Sequence, residues 1–203
     1  MADDLLAVAD ALNVGSCVIA SESSGASAAL LAIQRAPNRF GGQVLVGASW
    51  ERVEAGAYDK FFASLRRDYT ATLRSFIDNC LPETHSAELR RWGLQTMTRS
   101  SVDDAIDLIK SREQITCADV SPLHHLPALL IHGDKDSIVP VQSSRLLAAR
   151  LPSAKLHVLP GSGHVPVVTA PAEVAALIAN FGNQILAEQL RKASISAPTT
   201  LTL

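Results

Sequence analysis

Residues 131–140 read IHGDKDSIVP, and the preceding residues 128–130 (ALL) extend their apolar start. A continuous apolar run of this length is typical of a strand that is buried on both faces of a parallel sheet. The glycine and the aspartates that follow predict a tight loop at the carboxyl end of this strand. Ligand-binding loops gather at that edge of an open α/β sheet, so the carboxylates of Asp134 and Asp136 are candidate functional groups.

Three further apolar runs predict strands of the same sheet, at residues 17–20 (CVIA), 43–48 (QVLVGA) and 155–159 (KLHVL). Helical patterns lie between and around these runs, at residues 5–12, 24–36, 141–150 and 172–190. Strands and helices that alternate at this spacing predict right-handed βαβ units. We therefore predict an α/β fold with about four parallel strands flanked by helices.

Residues 51–117, between the second and third predicted strands, differ from the rest of the chain. They have few β-branched runs and many charged residues, and their apolar residues recur at helical spacing. We predict roughly three or four helices here, inserted as a cap between core segments at residues 1–50 and 118–192. Residues 193–203 are rich in Ser and Thr without a periodic pattern, which predicts a flexible tail.

The composition excludes several classes of function. The chain has 203 residues, 47% apolar and 19% charged, which is typical of a soluble globular protein with a sizeable core. A net charge of −2 gives no reason to expect binding to nucleic acid or to an anionic membrane, and no apolar run is long enough to span a bilayer. The N-terminus is acidic and lacks the basic segment of a signal peptide.

The cysteines and histidines give no sign of a disulfide framework, a metal site or an organic cofactor. Cys17, Cys80 and Cys117 are scattered, and Cys17 falls in a predicted buried strand, so we expect a reducing, cytoplasmic location. The chain has no CxxC, HExxH or phosphate-cradling GxxxxGK motif. Adjacent residues seldom chelate one ion together, so we interpret His124 and His125 as surface residues.

Residues 21–25 (SESSG) place Ser23 at the turn between the first predicted strand and the helix after it. A serine in such a turn has its hydroxyl lifted clear of the backbone, and the N–H of Ser24 then points at a developing oxyanion. Small residues are needed two positions before and after the serine. Gly25 meets this requirement, and Ser21 stands where glycine is usual. A Ser-rich turn before a helix is also a common N-cap, which is the alternative interpretation.

An acid and a base follow the later strands. Residues 160–166 (PGSGHVP) put His164 in a Gly-rich turn after the last predicted strand. A histidine that acts as a base needs a buried carboxylate to fix its tautomer, and Asp136 is the candidate for this role. We expect Asp134 to brace the turn and His132 to order the acid loop. The alternative interpretation is that both aspartates only form turns.

In chain order these residues are a serine, an acid and a histidine, each after a predicted strand, and this order resembles that of the α/β-hydrolase fold family. Residues 5–49 resemble its helix–strand–turn–helix–strand segment around the nucleophile, and residues 127–181 resemble its last two strands and final helix. The spacing from Gly133 through Asp136 to Pro140 is similar to the acid loop of the family. The likeness is to its cap-bearing branch of small esterases, perhydrolases and carbon–carbon bond hydrolases.

This resemblance implies a serine hydrolase that cleaves an ester or related acyl bond of a small molecule, without metal or organic cofactor. Ser23 would attack, and Asp136 would orient His164 for proton transfer. The Ser24 N–H would receive the oxyanion. The aromatic side chains of the cap would line an apolar substrate pocket: Phe61, Phe62, Tyr69 and Trp92. Ordinary packing within the cap is the alternative interpretation of these side chains.

The chain departs from the family pattern before residue 17, because family members usually have three or four strands ahead of the helix that opens this sequence. We therefore expect an N-terminally shortened member, without the His-Gly-rich segment that supplies a second oxyanion donor. Loss of one such donor typically costs ~10²–10³ in turnover. The strand at residues 17–20 would then lie at the sheet edge, where we expect it to pair with a second copy or a complementing chain.

A different class of function is the main alternative: a catalytically impaired α/β-hydrolase-like fragment or a binding module. The expected shortening favours it, and the intact serine, aspartate and histidine oppose it. A dinucleotide-binding fold is disfavoured, because SESSG and no glycine fingerprint follows Ala20. A dehalogenase or epoxide hydrolase is disfavoured because those relatives have an aspartate where Ser23 stands.

Overall fold

Strands and helices alternate along the chain. The computed structural model describes residues 1–51, 54–113, 123 and 125–196. Its strands are β1 (Cys17–Glu22), β2 (Phe40–Val46), β3 (Ala128–Gly133) and β4 (Ala154–Leu159). Its helices are α1 (Ala2–Ala11), α2 (Gly25–Arg35), α3 (Asp59–Arg67), α4 (Tyr69–Cys80), α5 (Ala87–Met97), α6 (Val102–Glu113), α7 (Val141–Arg150), α8 (Pro166–Thr169) and α9 (Pro171–Ser196). A short 3₁₀ helix at Pro37–Arg39 precedes β2.

The four strands form one parallel sheet in the order β1-β2-β3-β4, which confirms the predicted α/β fold. The register aligns the carboxyl ends of the strands. Val46 lies opposite both Glu22 and Ile131, and Gly133 lies opposite Leu159. The loops after all four strands therefore leave the sheet at the same edge.

Helices cover both faces of the sheet. On one face, Leu30 of α2 and Leu45 of β2 belong to the same buried cluster. On the other face, Phe181 of α9 packs in a cluster with Val44 of β2. The lack of a side chain at Gly42 allows this close approach, because a Cβ there would lie 3.1 Å from the Phe181 ring.

Helices α3 to α6 follow β2 in the chain and pack around a small core of their own, made of Phe62, Leu65, Leu73 and Ile106. Asp68 caps the start of α4, since its Oδ1 accepts a hydrogen bond from the Ala71 N–H at 2.9 Å. The helical content agrees with the prediction for this region. Its assignment as a cap domain at residues 51–117 stays a prediction, and residues 52–53 and 114–117 lie outside the described residues.

Helix α9 continues to Ser196, beyond the predicted end at residue 190. Residues 187–193 read AEQLRKA, and these residue types are strong helix formers, which accounts for the extension into the expected tail. Residues 197–203 of that tail lie outside the described residues. None of the helices in the described part of the chain, α9 included, combines the length and apolar character that a membrane crossing requires.

The packing predicts unequal effects of leucine truncation at two positions. Leu130 of β3 is fully buried, whereas Leu186 of α9 is 54% exposed. We expect Leu130→Ala to lower the free energy of unfolding by about 2–5 kcal/mol, because it leaves a cavity in the main core. We expect Leu186→Ala to change it by less than about 0.5 kcal/mol. Urea titrations monitored by circular dichroism measure both values, and equal losses would contradict this packing.

Candidate active site

Ser23 occupies a strained turn between β1 and α2. Its φ is +49°, in the left-handed region that residues with side chains seldom adopt. Hydrogen bonds to the end of β2 and to the segment after it fix this conformation: the Ser23 N–H donates to the Val46 carbonyl at 2.8 Å, and the Ser49 N–H donates to the Ser23 carbonyl at 3.1 Å. Strain of this kind persists where surrounding contacts over-determine the backbone, and it is common at active sites.

The small residues on either side of Ser23 meet each other across this turn. A Cβ added at Gly25 would lie 3.6 Å from the Cβ of Ser21, which is an ordinary van der Waals contact. The turn therefore accommodates the serine at position 21, where the sequence departs from the usual glycine. Two small residues are still needed, because longer side chains would compete for the same space.

Asp136 lies in the loop after β3, and its carboxylate is fully hydrogen-bonded. Its Oδ1 accepts from the N–H groups of Ile138 and Val139, both at 2.9 Å. Its Oδ2 accepts from His164 Nδ1 at 2.8 Å and lies 3.1 Å from His132 Nε2. Burial raises the pKa of Asp136, but the hydrogen bonds from His132, His164 and Val139 outweigh it and hold that pKa well below its usual range.

His164 lies in the turn after β4 and bridges Asp136 to Ser23. It is 3% exposed, and its Nε2 lies 2.9 Å from Ser23 Oγ. Since ionised Asp136 only accepts hydrogen bonds, Nδ1 carries the proton, and Nε2 of the neutral ring accepts from the serine hydroxyl. This arrangement can take a proton from Ser23 when its oxygen attacks an electrophile.

The acid loop, which carries Asp136, and the histidine loop, which carries His164, pack against each other with no space between them. A Cβ at Gly133 would lie 2.2 Å from the carbonyl oxygens of Ser162 and Gly163, in the histidine loop. Asp134 braces the same contact, because its Oδ1 accepts from the Gly161 N–H at 2.6 Å. The expectation that Asp134 supports the turn agrees with this contact.

Gly47, which directly follows β2, is a site residue that the sequence analysis missed. Its φ is +53°, and a Cβ there would lie 3.0 Å from the His164 carbonyl oxygen and 3.5 Å from His164 Nδ1. The imidazole therefore packs directly over Gly47. A glycine at the end of a predicted strand was the available signal, since such positions often mark close approach of another group.

The segment after α4 also contacts the histidine loop, and nothing in the sequence pattern indicated this. The His164 N–H donates to the Cys80 carbonyl at 2.9 Å, and the Gly163 N–H donates to Glu83 Oε1 at 2.7 Å. The Arg90 guanidinium holds this segment from α5, because it donates to the Leu81 carbonyl at 2.6 Å. The helical region therefore helps to fix the backbone of His164.

Two further ionisable groups lie close to the three side chains. Burial raises the pKa of Glu22, and the nearby His164 partly offsets this increase. Burial, together with the charges of Asp136 and Glu22, raises the pKa of the Cys80 thiol to about 12. Cys80 is therefore a neutral thiol at physiological pH and a poor nucleophile.

The predicted oxyanion donor and aromatic residues lie in different surroundings. Ser24 has helical dihedral angles at the start of α2, where N–H groups have no partner within the helix. Phe62 is buried in the core of the helical region, and Trp92 is 57% exposed. Tyr69 packs against that core, and its hydroxyl donates to the Met97 carbonyl. Their assignment to a substrate pocket stays a prediction, and packing accounts for Phe62 and Tyr69.

Phe61 packs against the same core as Tyr69 and in addition lines a groove. It lies in an open groove of about 560 Å³ beside α3 and α4, with Phe76 and Asn79. The rings of Phe61 and Phe76 have centroids 5.9 Å apart. Asn79, one of the residues that line this groove, contacts the acid loop, because its carbonyl accepts a hydrogen bond from the Ser137 hydroxyl at 3.0 Å.

Within the described ranges, no cluster of three or more His, Cys, Asp or Glu side chains could hold a metal ion. His125 is exposed, and His124 lies outside the described residues, as does Cys117. Cys17 and Cys80 are free thiols.

Comparisons with known proteins match this architecture. A family model described as "Alpha/beta hydrolase family" matches residues 1–177. The chain is 31% identical over 190 residues to a 2-hydroxymuconate semialdehyde hydrolase of Pseudomonas putida, covering 87% of this chain and 66% of the relative. It is 27% identical over 164 residues to a pimeloyl-[acyl-carrier protein] methyl ester esterase of Nitrosomonas europaea, covering 74% and 65%. The chain thus spans just under two thirds of the length of these curated relatives.

Solved structures show the same fold at low sequence identity. An esterase from Exiguobacterium antarcticum superposes with a TM-score of 0.81 at 18% identity, covering 90% of this chain and 72% of that chain. A bromoperoxidase from Bacillus anthracis superposes with a TM-score of 0.76 at 20% identity, covering 89% and 72%.

The contact between the acid loop and the histidine loop predicts opposite effects of two glycine-to-alanine substitutions. Gly133→Ala puts a methyl group against backbone of the histidine loop, and we expect the free energy of unfolding to fall by at least about 1–3 kcal/mol. Gly182→Ala, in α9 with open space around it, is the matched control, and we expect a gain of about 0.5–1 kcal/mol. Urea unfolding measures both, and an unaffected Gly133→Ala variant would contradict the close packing of these loops.

Proposed function

Since the chain belongs to the alpha/beta hydrolase family, we propose that it is a serine hydrolase that cleaves an ester or related acyl bond of a small molecule. One observation carries the proposal: the continuous hydrogen-bonded series from Ser23 Oγ through His164 to the Asp136 carboxylate. Its distances of 2.9 Å and 2.8 Å suit proton transfer and tautomer control. The curated relatives named above, a hydrolase and a methyl ester esterase, support this class of reaction.

The first half of the proposed reaction forms an acyl-enzyme. Ser23 Oγ attacks the carbonyl carbon while its proton moves to His164 Nε2, and the oxyanion forms next to the Ser24 N–H. Asp136 stabilises the resulting imidazolium. The carbon–oxygen bond to the alcohol then breaks, and Nε2–H donates its proton to the departing oxygen.

The second half returns the enzyme to its starting state. Water takes the place of the alcohol and gives a proton to His164 Nε2 as its oxygen attacks the acyl carbon. The bond from that carbon to Ser23 Oγ breaks, the proton returns to Oγ, and the carboxylic acid leaves. No metal or organic cofactor takes part in this scheme.

We place the acyl substrate at the groove that contains Phe61, because its lining residue Asn79 contacts the acid loop through Ser137. The rings of Phe61 and Phe76 suit the apolar group of a small ester, and the polar side chains of the groove suit its oxygen atoms. The location that we propose is the cytoplasm, because the described cysteines Cys17 and Cys80 are free thiols.

An activated serine predicts labelling by a fluorophosphonate probe, because such probes react with serines whose proton a base can accept. We expect the wild-type chain to be labelled and Ser23→Ala to lose the label. Ser111→Ala, which removes an exposed serine hydroxyl on α6, is the matched control and retains full labelling. Gel fluorescence and peptide mass spectrometry measure the result. A folded wild-type chain that takes no label would favour the binding-module alternative and contradict the proposal.

The exposed edge of the sheet supports a second proposal, that β1 pairs with another strand, most simply that of a second copy. In the described part of the chain, β1 has β2 as its only strand partner, and Ala20 on β1 is exposed. An unpaired edge strand of this kind invites pairing with another chain.

Light scattering after size exclusion tests this pairing. We expect the wild-type chain to be a dimer, and Ala20→Lys to be a folded monomer because charged side chains on an edge strand oppose pairing. The neighbouring exposed alanine Ala11, at the end of α1, gives the matched control Ala11→Lys, which remains dimeric. A wild-type monomer would contradict edge pairing.

A further inference from the structure

We propose that His132 is a positioning residue that donates a hydrogen bond to Asp136 and thereby limits the negative charge that Asp136 presents to His164. This inference rests on the proposed function, because it concerns how the base of that reaction is tuned. His132 is fully buried at the end of β3, and the side chain of Asp136 is also fully buried where the two meet.

The contacts of His132 determine where its proton lies. Its Nε2 is 2.8 Å from the Val139 carbonyl oxygen and 3.1 Å from Asp136 Oδ2. Both of these atoms only accept hydrogen bonds, so Nε2 carries a proton and donates to both. Its Nδ1 is 2.7 Å from Ser144 Oγ, whose hydroxyl can supply the proton of that hydrogen bond. The geometry is satisfied by a neutral imidazole protonated on Nε2.

One carboxylate oxygen of Asp136 consequently accepts hydrogen bonds from two imidazole rings. Oδ2 accepts from His164 Nδ1 and from His132 Nε2, while Oδ1 accepts from two backbone N–H groups. Hydrogen bonds to the ionised form stabilise it and draw charge away from the oxygen that accepts them. Asp136 therefore stabilises the protonated form of His164 less than a carboxylate bound to His164 alone.

Other ionisable groups lie near these residues, and their effects on the pH profile have to be distinguished from the effect of His132. Glu22 on β1 interacts with His164, and Cys80 at the end of α4 interacts with both Asp136 and Glu22. Glu83 approaches the same loop through the Gly163 N–H. The Cys80 thiol stays neutral over the working range. An ionised Glu22 favours the protonated form of His164, so Glu22→Gln moves the acid limb of a rate profile to lower pH.

The test is the pH dependence of kcat/KM with p-nitrophenyl acetate. We expect the acid limb of His132→Leu to lie about one pH unit above that of the wild type, because one charge-assisted hydrogen bond to Asp136 is lost. His132→Gln can place an amide N–H near the position of Nε2. We expect this variant to return the acid limb to its wild-type pH. Ser144→Ala is the matched control: it removes the hydrogen bond at Nδ1 of His132, keeps those at Nε2, and leaves the acid limb unchanged. The proposal would be overturned if the acid limb of His132→Leu lay at the wild-type pH, or if Ser144→Ala shifted the acid limb by the same amount as His132→Leu.

A second measurement needs neither turnover nor a variant. Two-bond ¹H–¹⁵N correlation spectra of the wild-type chain report which ring nitrogen of each histidine carries the proton. We expect these spectra to show a proton on Nε2 of His132 and none on its Nδ1, as its hydrogen bonds require. A His132 protonated on Nδ1 alone would overturn the proposal. If the wild type hydrolyses no ester but His132 has the expected tautomer, the proposed function fails and the link between His132 and Asp136 stands.

Discussion

The parallel register of the sheet is the constraint on which the site depends. Because all four strands run in the same direction with their carboxyl ends aligned, the loops that carry Ser23, Asp136 and His164 emerge side by side. These residues are far apart in the chain, and no local element brings them together. Hydrophobic burial on both faces of the sheet stabilises this register, and the hydrogen bonds of the site only refine it.

Close packing of the backbone then fixes the positions of these side chains relative to one another. Glycines at positions 47 and 133 leave no space between the loops, so His164 rests on backbone rather than on mobile side chains. The left-handed conformation of Ser23 costs of order 1–3 kcal/mol, and the hydrogen bonds to the end of β2 and to the segment after it offset that cost. The end of α4 adds support from the outside, through the carbonyl of Cys80.

Much of this arrangement could be predicted from the sequence, because it is encoded locally. The four apolar runs predict the strands, and turn residues directly after them indicate Ser23, Asp136 and His164. The contact of the Cys80 carbonyl could not be predicted, since it joins elements distant in the chain and leaves no periodic pattern. The position of Gly47 at the end of a predicted strand indicates a close approach, but not which group approaches. The same reason explains why the aromatic residues in the helical region could not be divided beforehand into residues that only pack, such as Phe62, and residues that also line the groove, such as Phe61.

Proton NMR of the His164 imidazole tests most directly whether the three loops converge on one hydrogen-bonded series. A proton on Nδ1 that is held by the buried Asp136 carboxylate exchanges slowly with water and resonates far downfield of ordinary amide protons. We expect such a resonance in the wild-type chain and its loss in Asp136→Ala. Its absence from the folded wild type, or its persistence in Asp136→Ala, would show that the three side chains do not form this hydrogen-bonded series.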